Sequence, residues 1–118
     1  MLAPTLTAHT DLQRHHVAIS VHGPLATADH GQALIEACLP LPATYGLLVN
    51  LSNVTTLTEA GMCSLRDLAK AVAESGHRIA FVCSELILRS ELILGDLDMP
   101  APVLQADEQA LPLVGFAA

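Results

Sequence analysis

A short apolar run at positions 47–51 places the strongest constraint on the fold. The run has the sequence Leu-Leu-Val-Asn-Leu, and Asn50 is its one polar residue. A strand whose consecutive residues are apolar is buried on both faces, which is typical of a parallel sheet covered by helices. The sequence therefore predicts an α/β fold.

Two strands and a helix are predicted before this run. A polar turn at residues 11–13 separates a weakly alternating segment from a strand that ends at Gly23-Pro24, and this pattern predicts an antiparallel hairpin. Thr27 can cap the helix that follows, because its hydroxyl can accept a backbone N–H of the first turn. The inward residues of this strand and helix are predicted to be Val17, Ile19, Val21, Gly31, Leu34, Ile35 and Cys38.

Helices and strands alternate after the run. Thr58 is predicted to cap a second helix, and Gly76 is predicted to end it. A strand over residues 78–83, a third helix over residues 85–94 and an edge strand over residues 102–104 are predicted to follow. The inward residues of the second helix are predicted to be Met62, Leu65, Leu68, Ala69 and Val72.

A fourth helix is predicted to begin at Asp107, which completes one α/β domain over residues 1–118. This domain has a central mixed sheet, an N-terminal antiparallel hairpin and about four helices. The odd number of cysteines and the absence of a Cys-x-x-Cys spacing predict three reduced core residues in a cytoplasmic protein, namely Cys38, Cys63 and Cys83.

The charge balance excludes several classes of partner. Five Lys and Arg residues stand against twelve Asp and Glu residues, giving a formal net charge of -7, so no basic surface is available for nucleic acid. No run approaches the about 20 apolar residues of a membrane span, and the N-terminus lacks the features of a secretory signal. The charged fraction of 14% lies well below the usual value of about 25%, which predicts apolar surface available to a protein partner.

The sequence contains no motif that predicts an enzyme or a cofactor site. The phosphate-binding patterns G-x-G-x-x-G and G-x-x-x-x-G-K-[ST] are absent, as is the nucleophile pattern G-x-S-x-G. His16 and His22 on the second strand could approach one metal ion if a third ligand joined them. We favour the interpretation that they are surface residues without a metal, and we place His30 on a helix surface.

The strand-to-helix turn at residues 57–62 is the candidate functional segment. Thr58 is placed to cap the second helix, and Glu59 places a negative charge in its first turn, where the helix dipole favours it. These features alone predict a well-capped helix. The same geometry suits a phosphorylation switch, because a phosphate at a helix start finds unpaired N–H donors. Gly61 is expected to keep this turn open for a partner.

The sequence GLLVNLSNVTTLTEAGM at residues 46–62 resembles the core of STAS domains, the family of the bacterial anti-sigma factor antagonists. That core has an apolar strand, Asp-Leu-Ser, a Val-Thr link, and then Asp-Ser-x-Gly-Leu at the start of a helix. Residues 17–23, 76–82 and 93–97 are similar to further segments of the family, so the resemblance covers nearly the whole chain. It implies the STAS fold.

This chain departs from the family pattern at the switch itself. In the register of the resemblance, Glu59 occupies the position of the phosphorylated Ser or Thr, Thr58 that of the preceding Asp, and Asn50 that of the Asp in Asp-Leu-Ser. Ala26 also stands where many members have Asp. Two hypotheses follow: Glu59 permanently mimics the phosphorylated state, or Thr58 has become the phosphoacceptor.

The resemblance implies a non-enzymatic, cytoplasmic module of signal transduction and transcription control in bacteria. Its expected partner is an anti-sigma kinase or a stress-signalling assembly, and a homodimer is also compatible. The predicted contact and switch residues are Thr58, Glu59, Ala60, Gly61 and Met62, with further contacts at Arg66 and Asp67. The alternative function is an accessory subunit of a membrane transporter, either a lipid ABC importer or an anion transporter.

Overall fold

The computed structural model describes residues 5–11, 16–38, 45–94 and 103–104. The elements are β1 (Thr5–Asp11), β2 (His16–Leu25), α1 (Ala28–Cys38), β3 (Gly46–Leu57), α2 (Glu59–Glu74), β4 (Ile79–Val82), α3 (Leu86–Leu94) and β5 (Val103–Leu104). This order confirms the predicted succession of elements up to the last strand. The predicted fourth helix lies outside the described residues.

The five strands form one mixed sheet in the order β1-β2-β3-β4-β5. The β1–β2 pair is antiparallel, which confirms the predicted hairpin, and the three other pairs are parallel. β3 lies at the centre, where Leu47, Leu48 and Val49 are buried on alternating faces. The apolar run therefore marks a strand buried on both sides, as predicted.

The main hydrophobic core lies between one face of the sheet and the described helices. Leu34 of α1, Leu65 of α2 and Leu92 of α3 all belong to it and are fully buried. A second, smaller cluster occupies the other face of the sheet and contains Leu48, Ala80 and Val82. All five predicted inward residues of α2 are buried, which confirms the periodicity of that helix.

The paired ends of β2 and β3 bring the functional segment next to the turn that follows β2. The parallel pairing continues to Leu25 and Leu57, after register shifts that include one between Gly23 and Pro24. Gly23 has φ of 105°, a left-handed conformation that glycine adopts without steric cost. The start of α2 consequently lies beside Ala26.

Three predicted environments are wrong. His16 is buried rather than at the surface, with 4% of its area exposed, because β2 lies between β1 and β3 and not at the edge of the sheet. His30 is buried rather than on the helix surface, with 6% of its area exposed, and its Nδ1 accepts the N–H of Ala26 at 3.2 Å. Cys63 is an exposed residue of α2, whereas Cys38 and Cys83 are buried as predicted. Burial raises the pKa of the Cys38 thiol to about 12, and it also raises the pKa of Cys83, so both remain neutral thiols at physiological pH.

Candidate functional site at the start of helix α2

Thr58 fixes the start of α2 to the end of β2. Its backbone is extended, and its Oγ1 accepts the N–H of Gly61 at 3.4 Å, which confirms the predicted N-cap. The same hydroxyl donates to the carbonyl oxygen of Ala26 at 2.7 Å, and the Thr58 N–H donates to Leu25 at 3.4 Å. The hydroxyl therefore acts as donor and acceptor at once, although the residue is exposed.

We expect Thr58→Ala to lower the free energy of unfolding by about 1–2 kcal/mol, because both hydrogen bonds of the hydroxyl are lost. Thr58→Ser keeps the hydroxyl and should lose less than about half of that amount. Urea unfolding of the two variants and the wild type measures the difference. Equal losses for Ala and Ser would assign the effect to the methyl group instead.

Glu59 is exposed in the first turn of α2, with 83% of its side chain accessible. Its Oε1 lies 3.4 Å from Nη2 of Arg66, two turns further along the helix. The same oxygen accepts a hydrogen bond from the thiol of Cys63 at 3.9 Å. An exposed ion pair of this kind contributes less than about 1 kcal/mol to stability. Arg66 thus contacts the carboxylate within the helix, and Asp67 is exposed beside it. Their contacts with a partner stay a prediction.

The five residues predicted for the switch divide into an outer and an inner group. Thr58, Glu59 and Ala60 are exposed, whereas Gly61 and Met62 are buried. A Cβ atom at Gly61 would overlap the carbonyl oxygen of Leu25, so the glycine allows α2 to approach the end of β2. The outer three residues can touch a partner, and the inner two hold the helix start in place.

Asn50 lies in the middle of β3, next to the end of β4. Its Oδ1 accepts the N–H of Ser52 at 2.9 Å, and the Oγ of Ser52 accepts the N–H of Ser84 at 2.9 Å. An Asp carboxylate would accept the same bond from Ser52. The asparagine therefore makes the bond that an aspartate could make at this position, without the negative charge.

A groove beside α3 adjoins this site and was not predicted from the sequence. One part of the groove has a volume of about 560 Å³ and the other, next to Thr58 and Glu59, about 320 Å³. The two parts share Leu57 and Glu91, and we call them together the α3 groove. Its lining is formed by Ser52, Asn53, Val54, Thr55, Leu57, Thr58, Glu59, Met62, Glu85, Ile87, Leu88, Glu91 and Leu94.

α3 exposes four large apolar side chains, of which Ile87 and Leu94 line this groove. The exposed fractions are 66% for Leu86, 75% for Ile87, 43% for Ile93 and 83% for Leu94. This exposure agrees with the apolar surface predicted from the low charged fraction. The sequence also indicates this exposure, because apolar residues surround the whole circumference of α3 and one core can bury only one side of a helix.

The described part of the chain holds no group of three or more His, Cys, Asp or Glu side chains suited to a metal ion. His22 is exposed as predicted, whereas His16 is buried, so the prediction that both histidines are surface residues is wrong for His16. Among the described residues, no helix combines the length and the apolar character that crossing a membrane requires.

Neither a family model nor a curated protein matches the sequence. Solved structures do match it. An anti-sigma factor antagonist from Mycobacterium paratuberculosis is 19% identical with a TM-score of 0.72, over 95% of this chain and 94% of that one. A candidate anti-sigma factor antagonist from Thermotoga maritima is 13% identical with a TM-score of 0.74, over 92% of this chain and 93% of that one.

A third similar structure is a murine anion transporter, Solute Carrier 26 family member A9, in its inward-facing state. It is 14% identical with a TM-score of 0.71, and the match covers 93% of this chain but 22% of the transporter. These likenesses establish the fold. The chain has the STAS fold of the anti-sigma factor antagonists, as the sequence resemblance implied.

Proposed function

We propose that this chain is a non-enzymatic regulatory module of the bacterial cytoplasm that binds a protein partner at the start of α2. The observation that carries the proposal is the exposure of Thr58, Glu59 and Ala60 at a helix start whose position is fixed by Thr58 and Gly61. In the fold of an anti-sigma factor antagonist, this arrangement favours an anti-sigma kinase or a stress-signalling assembly as the partner.

The hydrogen bonds of the site favour Glu59 as a permanent charge over Thr58 as a phosphoacceptor. The Thr58 hydroxyl donates to Ala26 at 2.7 Å, and a phosphorylated oxygen would have no proton left to donate. Glu59 already supplies a negative charge in the first turn of α2. A carboxylate carries one charge, whereas a phosphate carries nearly two, so Glu59 mimics the phosphorylated state in part.

We expect Glu59→Ser to become phosphorylated at position 59 in a lysate of the native host with ATP, while the wild type carries no phosphate at Thr58 or Glu59. Mass spectrometry of the recovered protein measures both positions. Glu59→Gln, which keeps the size but removes the charge, should change partner recovery by up to about tenfold. Glu59→Ala is the matched control without a hydroxyl.

The outcomes of this experiment separate the two hypotheses for the switch. A phosphate found at Thr58 of the wild type would contradict the permanent charge at Glu59. Partner binding that is indifferent to the substitutions at both positions would contradict a docking site at the start of α2. Recovery of an anti-sigma or stress-signalling protein that depends on Glu59 supports the proposal.

A second function is an accessory module of a membrane transporter. The observation that favours it is the likeness of 93% of this chain to part of the murine anion transporter. Affinity purification from detergent-solubilised membranes of the native host tests it. Recovery of a transporter subunit in proportion to this chain would select this function over the first.

A further inference from the structure

We propose that the α3 groove binds an amphipathic helix of the partner protein, one with a row of apolar residues flanked by Lys or Arg. The inference rests on the proposed function and adds the chemistry of the partner segment. It places the docking surface along α3 and the end of β3, next to the exposed residues at the start of α2.

Ile87 and Leu94 line the groove, and Leu86 and Ile93 extend the exposed apolar side of α3 beyond it. Leu86, Ile87, Ile93 and Leu94 all fall within about one third of the helix circumference, with Ser90 among them. All four apolar side chains are exposed, by 43% to 83%. Contiguous exposed Leu and Ile residues favour association, because contact with another apolar surface removes them from water.

The charged part of the surface is acidic. Glu59, Glu85 and Glu91 line the groove and are exposed. Two arginines of the described residues have partners within the chain: Arg66 lies 3.4 Å from Glu59, and Arg89 donates to the carbonyl oxygen of Cys83 at 3.3 Å. Lys or Arg residues on a partner would complement the carboxylates.

The same charges argue against other occupants. An anionic lipid surface or a nucleic acid would be repelled by the carboxylates and by the formal net charge of -7. A second copy would bring Glu85 and Glu91 against identical acidic residues. A basic partner helix meets no such repulsion.

The dimensions of the groove suit a short helix. α3 has nine residues, which corresponds to about 13 Å of helix and to two or three turns of a partner helix packed along it. Insertion of an amphipathic helix into an apolar groove uses anchors at i, i+3, i+4 and i+7. The side chains exposed along α3 offer contacts to such a row of anchors.

A synthetic, fluorescein-labelled helical peptide tests the proposal. The peptide has Leu at i, i+3, i+4 and i+7 and Lys at its other positions, and the control peptide has Glu in place of every Lys. We expect the Lys peptide to bind the wild-type chain at least about tenfold more tightly than the Glu peptide, by fluorescence anisotropy. Amide chemical-shift changes should concentrate at residues 52–57 and 85–94.

Variants of the groove provide the second readout. The double substitutions Glu85→Lys with Glu91→Lys, and Ile87→Ser with Leu94→Ser, should each weaken the Lys peptide by about tenfold. Glu74→Lys changes an exposed acidic residue at the far end of α2, outside the groove, and should alter binding by less than about twofold. Circular dichroism verifies that each variant is folded.

Several outcomes would overturn the inference. These are equal binding of the Lys and Glu peptides, shift changes away from α3, and equal weakening by Glu74→Lys. Sedimentation that shows a wild-type dimer abolished by Ile87→Ser with Leu94→Ser would assign the surface to a second copy.

The inference and the proposed function fail separately. A native partner that requires Glu59 but ignores the groove variants would overturn the inference and keep the function. A partner whose binding is weakened by the groove variants but is unchanged by substitution of Glu59 would overturn the function and keep the docking surface.

Discussion

Gly61→Val is expected to lower the free energy of unfolding by about 3 kcal/mol, the upper range for inserting side-chain atoms into a filled interior. Gly61 is buried in the first turn of α2, and any Cβ there would overlap the carbonyl oxygen of Leu25. The same atom would lie 3.1 Å from Cδ1 of Leu57, so the space is closed from two sides. A β-branched side chain adds further crowding.

The neighbours of Gly61 cannot move aside without disturbing the functional site. The carbonyl oxygen of Leu25 belongs to the backbone at the end of β2 and also accepts the Thr58 N–H at 3.4 Å. Displacing it would shift Ala26, whose carbonyl oxygen accepts the Thr58 hydroxyl at 2.7 Å. We therefore expect any folded fraction of the variant to bind the partner less well. The added side chain would therefore overlap the protein itself, whereas the sequence predicts a role for Gly61 at the partner interface.

Ala60→Val is the matched control, because Ala60 is the exposed neighbour of Gly61 in the same turn. It should cost less than about 1 kcal/mol, the difference in helix propensity between Val and Ala. Urea unfolding followed by circular dichroism compares the two variants with the wild type. A loss at Gly61 no larger than the loss at Ala60 would contradict the close approach of α2 to β2.

The parts of the fold that depend on local chemistry could be predicted from the sequence. Burial of the strand at residues 47–51 follows from its apolar run, and the cap at Thr58 follows from a hydroxyl placed before a periodic helix. The exposure of Cys63 could also be predicted, because this residue lies outside the apolar stripe of α2 that contains Leu65 and Val72. The prediction for Cys63 was wrong because it followed the general tendency of cysteines to be buried and not the periodicity of α2.

The errors and omissions that remain depend on how neighbouring elements are placed against each other. His30 is buried where the end of β2 leads into α1, and its Nδ1 accepts the N–H of Ala26 at 3.2 Å. The α3 groove exists because α3 packs beside the end of β3 and presents Ile87 and Leu94 outward. Residue spacing along one element does not specify how two elements are placed against each other.

Gly31→Ala is expected to lower the free energy of unfolding by about 2 kcal/mol, although alanine favours helices. α1 and α2 cross at this glycine, and a Cβ atom there would overlap both Cβ and Oγ of Ser64. The Ser64 side chain cannot avoid the overlap by rotation, because its Cβ is fixed to the helix backbone. The crossing would have to widen, which moves α1 away from the helix that carries the site.

A double-mutant cycle isolates this contact. Ser64→Gly alone should cost about 0.5 kcal/mol through helix propensity. Combining it with Gly31→Ala should add little, because the remaining Cα of residue 64 lies 3.8 Å from the added Cβ, which is an ordinary contact. Combining Gly31→Ala with Ser64→Ala retains the Cβ overlap and should give no such rescue. Urea unfolding of the two double variants and of the single variants Gly31→Ala, Ser64→Gly and Ser64→Ala yields the coupling energy. A value near zero would show that α1 and α2 do not meet at these two residues. A large coupling would instead show that Gly31 sets the distance between α1 and α2, just as the Gly61 variants test the approach of α2 to the end of β2.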